Sequence, residues 1–134
     1  MNITLKTEYA LRALHEVCCE AGRPVTRKQI SQKQGISEHF LEKIFIGLQK
    51  KELISSVRGP GGGFVLNRLP QEITLWDIYI AVDDPEYQEG QCYQKAGNSC
   101  EMHDACRVKS IWYKFGKIMK KSMSEITLAD IAAN

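Results

Sequence analysis

The chain has 134 residues, 43% hydrophobic and 25% charged, a composition that suits one globular domain with a real core. It excludes a disordered or low-complexity chain, and no apolar run reaches the roughly 18 residues that a membrane span needs. The opening MNITLKTEYALRALHE sets Lys6, Glu8 and Arg12 inside its apolar pattern, so it does not read as a signal peptide and the expectation is a cytoplasmic protein without membrane contact.

The net charge of +2 hides a segregation. Residues 1–70 carry 11 Lys and Arg against 6 Asp and Glu, residues 71–106 carry 1 against 8, and residues 107–134 carry 6 against 2. A basic N-terminal block suits a polyanionic partner, although a solvated charged face has the same composition. The cysteines number five, an odd count in a chain read as cytoplasmic, which favours metal binding or buried packing over disulfides.

In chain order, a first helix is expected from Thr4–Thr7 to about Ala21, stopped by Gly22 and Pro24. Its stripe is Ala10, Ala13, Leu14, Val17 and Cys18, which makes Cys18 a small core residue and leaves Cys19 off the stripe with no assigned role. Thr26 and Gln29 form a capping box that opens a short helix to about Gln34. Gly35 breaks it, and Ser37 can cap a longer helix to about Lys51, with Phe40, Leu41, Ile44, Phe45 and Leu48 on one face. Helix, glycine turn and helix make a helix-turn-helix, or an ordinary helical hairpin.

The next segment separates the two. Leu53–Val57 and Phe64–Leu66 read as strands around Arg58-Gly59-Pro60-Gly61-Gly62-Gly63, a hairpin where a winged helix carries its wing. A strand rather than a helix follows the glycines, which argues against a nucleotide loop. Thr74 to Asp77 starts another helix, running to about Asp83 before Pro85. Periodicity then disappears from Glu86 to Cys106. It returns in a long helix from about Arg107 to Met123, with Val108, Ile111, Trp112, Phe115, Ile118 and Met119 along one side. Thr127 to Asp130 is a short capped turn of helix. The fold class is therefore mainly α with a small β-hairpin. One integrated domain is expected, with a winged helix-turn-helix over 1–84, a cysteine-bearing loop over 85–106, and a helix and tail over 107–134.

The run ISEHFLEKIFIGLQKKELISSVRGPGGGFVL, the later ITLWDIYIAV, the three cysteines after it and the terminal TLADI closely resemble the Rrf-type iron–sulfur winged-helix regulators, over nearly the whole chain. The resemblance implies a DNA-binding transcriptional regulator, read as a repressor. It also implies a homodimer with the long C-terminal helix as its dimerisation element, and pseudo-palindromic double-stranded promoter DNA as partner.

In a helix-turn-helix the start of the second helix meets base edges, which places Ser37, Glu38, His39 and Glu42 in the groove and Lys43 near the backbone. A carboxylate there can only accept, so it favours the amino group of cytosine. Glu42 matches the family's base-reading glutamate and Ser37 a contacting serine, while His39 stands where some relatives have serine. The plainer reading of Glu42 is a solvated residue paired with a nearby lysine. Arg58, with Gly59 at the wing's edge, could enter a minor groove or touch only phosphate. Thr26, Arg27 and Lys28 at a helix start are natural phosphate clamps.

Cys92, Cys100 and Cys106 are too widely spaced for a zinc ribbon, and spacing alone leaves an iron–sulfur cluster, zinc or idle thiols open. The resemblance implies an iron–sulfur cluster, 4Fe–4S ahead of 2Fe–2S, that senses nitric oxide, redox state or iron–sulfur status, although the gap before Cys100 is longer than in the family. Relatives complete the set with a histidine after the last cysteine or with an acidic residue near the start of the partner's first helix. Arg107-Val108-Lys109-Ser110 follows Cys106, so Glu8 is the first candidate and His103 the alternative; water or a small molecule is also open. The plain readings are a helix-start glutamate favoured by the dipole and a solvated loop histidine. A metal-free thiol-redox regulator is the main competing function. A small electron carrier lacks its ferredoxin motif here, and no catalytic constellation is present.

Overall fold

The computed structural model describes residues 4–85, 87 and 105–132. Thr4 caps α1 (Leu5–Cys19), its side chain accepting from the Lys6 amide. The small Ala10 and Ala13 are buried with Leu14 and Val17, which lets other helices approach closely, and α1 lies at the centre of the core against α2, α3, α4 and α6. The Thr26–Gln29 capping box forms in full and starts α2 (Arg27–Gln34), which buries Ile30 and ends at Gly35. Gln34 ties the two helices together. It accepts from Arg12 Nε at 3.0 Å through its side chain and from the Arg12 guanidinium at 2.6 Å through its carbonyl, and donates to Glu16.

Ser37 accepts from the Phe40 amide at 3.2 Å and opens α3 (Glu38–Lys50). This helix is sharply two-faced: Leu41, Ile44, Phe45 and Leu48 are buried, while Glu38, His39, Glu42, Lys43 and Ile46 are exposed. The wing follows as antiparallel β1 (Ile54–Val57) and β2 (Gly63–Leu66), paired from Ile54 opposite Leu66 to Val57 opposite Gly63. The glycine run does make the turn, with Gly59 and Gly61 at φ of 96° and 73°. Val25 adds an isolated bridge to Phe64, with amide–carbonyl bonds of 3.0 and 2.8 Å in the two directions. Phe64 also meets Phe45 edge to face at 4.6 Å, so the wing is fastened to α3 and to the segment that leads into α2.

The Thr74–Asp77 capping box starts α4 (Leu75–Val82), which is almost wholly enclosed. It packs on α3 at Gly47, where a Cβ would collide with the Ala81 carbonyl oxygen. The expected long helix is α5 (Lys109–Ser124), about 24 Å long, and α6 (Leu128–Ala132) closes the described chain. A backbone bridge joins Thr74 to Thr127, the Leu128 amide donates to the Ile73 carbonyl at 2.8 Å, and Leu128 is fully buried. These links draw α6 back into the core beside α1. The 3₁₀ turn at Pro70–Glu72 has no counterpart in the sequence expectations, and no described helix is long and apolar enough to cross a membrane.

Candidate nucleic-acid interface and cysteine site

The residues expected at DNA sit on three adjoining elements. Ser37, Glu38, His39, Glu42 and Lys43 are exposed at the start of α3, Arg58 and Gly59 at the tip of the wing, and Lys28 in the first turn of α2. Thr26 and Arg27, half-buried, complete the start of α2. Caps made by Thr26 and Ser37 fix both helix starts, and the free faces of these starts carry backbone amides and the positive end of the helix dipole. Ile46, one turn beyond Glu42, is 49% exposed, an apolar group on an otherwise polar face that the binary pattern had not singled out.

One contact changes how this surface is read. The Arg27 guanidinium lies 3.8 Å from Glu42 Oε1, joining the first residue of α2 to the exposed face of α3. The partner of Glu42 is thus an arginine from the neighbouring helix, not a lysine.

Glu8 lies in the first turn of α1 with its side chain 62% exposed, and Arg12 Nη1 is 3.9 Å from its carboxylate. It stands on an open, mainly apolar groove of about 470 Å³ lined also by Thr4, Leu5, Thr7, Leu11, Leu75 and Met123. Cys106 is a free, half-buried thiol shortly before α5. Cys92, Cys100 and His103 lie outside the described residues, and among the described ones no three His, Cys, Asp or Glu side chains converge. The other two described thiols differ from each other. Cys18 packs against the core, and burial, with the nearby Cys19 thiol adding to it, pushes its pKa up. Cys19 is exposed, its sulfur 3.6 Å from His15 Nε2.

Helix α5 packs on α4 through Met119 and Met123, which join Trp76 and Tyr79 in a second apolar cluster. Its remaining apolar stripe is bare in the single chain: Val108, Ile111, Phe115 and Ile118 are 51%, 62%, 43% and 54% exposed.

Residues 3–134 match the family described as Rrf2, iron-dependent transcriptional regulator. The chain belongs to the Rrf2 family. A curated relative, the HTH-type transcriptional regulator IscR of Sodalis glossinidius (strain morsitans), is 36% identical over 135 residues, spanning 100% of this chain and 80% of the relative. Among solved structures, T. potens IscR aligns with a TM-score of 0.70 at 31% identity, covering 98% of this chain and 85% of that one. CymR (YrzC), the global cysteine regulator of B. subtilis, aligns with a TM-score of 0.75 at 27% identity, covering 99% and 97%.

As an Rrf2 protein, the chain is a DNA-binding transcriptional regulator of winged-helix fold, and its named relatives are regulators rather than enzymes. Two residues that organise its polar surfaces carry no signal of that role in the sequence. Asp83, the C-cap of α4, accepts from the Thr4 amide at 2.9 Å and from the Thr4 and Thr7 hydroxyls, so it anchors the start of α1 immediately before Glu8. Arg27, placed by its sequence position at phosphate, also pairs with Glu42. The Asp83 contacts join elements far apart in sequence, and the Arg27–Glu42 pair crosses from one helix to the next, so periodicity carries a signal for neither.

Proposed function

We propose that this Rrf2 regulator is a homodimeric repressor that reads a pseudo-palindromic promoter site and is controlled by an iron–sulfur cluster. The observation that carries the DNA part is the exposed start of α3, where Ser37, His39 and Glu42 are open to solvent, as is Arg58 of the wing. In this reading Glu42 accepts from a cytosine amino group, Arg58 enters the minor groove, and Thr26, Arg27 and Lys28 hold phosphates. The bare stripe of α5 supports the dimer, because contiguous apolar surface of this kind marks an association site.

Cys92, Cys100 and Cys106 would hold the cluster, with Glu8 of the partner subunit as fourth ligand and His103 as the alternative. The donor chemistry fits: Cys106 is an unbridged thiol, and Glu8 presents an exposed carboxylate beside an apolar groove able to receive a segment of the other chain. When bound, the cluster, 4Fe–4S ahead of 2Fe–2S, would supply an iron reactive towards nitric oxide or oxidants. The chain's own residues provide a route from Glu8 to the DNA surface. Tyr9, next to Glu8, packs edge to face on Phe40 of α3 at 5.2 Å, and through this contact a shift at the start of α1 would bear on the helix that carries Glu42.

Iron and acid-labile sulfide analysis of anaerobically purified protein tests the cofactor, and selection from a randomised duplex pool tests the DNA reading. Stoichiometric iron and sulfide together with an inverted-repeat consensus are expected. A second reading, a metal-free thiol regulator using the same three cysteines, is favoured by the likeness to the cysteine regulator CymR. Protein without iron that loses DNA affinity on oxidation and regains it with dithiothreitol would establish that reading instead.

A further inference from the structure

We infer that Arg27 is a positioning residue for base readout: held 3.8 Å from Glu42, it sets the direction and offsets the charge of that carboxylate at the DNA surface. The inference rests on the proposed base contact by Glu42. Both side chains are substantially exposed, at 40% and 56%, and an ion pair so open to water does little for folding stability. Its consequence is therefore local. A carboxylate entering a groove between two rows of phosphates is repelled by them, and a guanidinium beside it lowers that cost. The planar guanidinium has five N–H donors, so it can engage Glu42 with one edge and keep others for a phosphate oxygen. Arg27 thereby links backbone contact to base choice, where Lys28 beside it serves the backbone alone.

The local structure makes this testable. Thr26 and Gln29 cap the start of α2 through their own side chains, so Arg27 can be changed without removing the cap. The wild-type chain is used to select from a randomised duplex pool, and the base pair whose preference disappears in Glu42→Ala is identified. Binding of Arg27→Ala, Arg27→Lys and Lys28→Ala is then measured on the selected duplex and on one with that pair exchanged, with thermal unfolding as the check on folding. Wild-type protein should prefer the selected duplex roughly tenfold. Arg27→Ala should lose most of that preference at an unchanged melting temperature. Arg27→Lys should recover overall affinity but not the full preference, and Lys28→Ala should weaken both duplexes alike. In the Glu42→Ala background, Arg27→Ala should no longer affect base choice. Equal loss on both duplexes for Arg27→Ala in the wild-type background would overturn the inference and leave Arg27 a plain phosphate contact. If Glu42→Ala erased no base preference, the base contact itself would fail and the inference with it.

Discussion

The carboxylate of Asp83 accepts a hydrogen bond from the Thr7 hydroxyl, joining two residues that stand 76 apart in sequence. It also accepts from the amide and hydroxyl of Thr4, the N-cap of α1, so one side chain closes the end of α4 and fixes the start of α1. Hydrogen bonds to a charged acceptor are the stronger kind, and cutting this set leaves Thr4 and Thr7 with unmatched donors. Asp83→Ala should therefore cost about 2 kcal/mol of stability, read as a lowered melting temperature, with Asp83→Asn losing less. An unchanged melting temperature for the alanine variant would show that water replaces these bonds without cost.

The second prediction concerns α5. Phe115 and Ile118 stand exposed on its bare stripe, whereas Met123 is buried in the core. Phe115→Glu and Ile118→Glu should keep their helical circular dichroism yet sediment as monomers, with affinity for a two-half-site duplex falling at least about tenfold. A variant that stays dimeric would place the subunit contact elsewhere.

The α1 cysteines give a third. A thiolate is the reactive form, and burial holds the Cys18 thiol neutral to higher pH, whereas Cys19 is exposed beside His15. Iodoacetamide at pH 8 should label Cys19 before Cys18 in native protein, and the two should converge in urea. Tandem mass spectra of the shared peptide separate them, and equal native rates would contradict the packing of Cys18 against the core.

Much of this architecture is legible in the sequence because its signals are local. Thr26 with Gln29 and Thr74 with Asp77 announce capping boxes, and the glycines after Arg58 announce a turn; all three form as expected. What escapes is non-local. Nothing in the spacing of Val25 tells that it will pair with Phe64, or that Thr127 will pair with Thr74, because an isolated bridge leaves no periodicity. Gly47 reads as a weak spot in a helix until Ala81 is seen against it. At the DNA-facing surface the residue types and their helix faces are predictable, but the Arg27–Glu42 pair depends on how α2 and α3 are set against each other. Cys92, Cys100 and His103, on the stretch without periodicity, lie outside the described residues, so that part of the site stays with the sequence and the family.

A fourth prediction isolates the proposed fourth ligand. Glu8 is exposed and its contact with Arg12 is long, so Glu8→Ala should leave the fold intact. Purified without oxygen, this variant should show an altered visible and Mössbauer spectrum and faster loss of iron, whereas His103→Ala should match wild type. The opposite pattern would move the fourth position to His103.

The central claim is that iron–sulfur occupancy controls DNA binding, and affinity for the selected duplex tests it most directly. It is measured on anaerobically prepared protein before and after iron and sulfide are removed by chelation, with thiols kept reduced throughout. The account predicts dissociation constants that differ by roughly tenfold or more between the two forms, with the dimer retained. Equal affinities, or protein that never carries iron and sulfide, would contradict it.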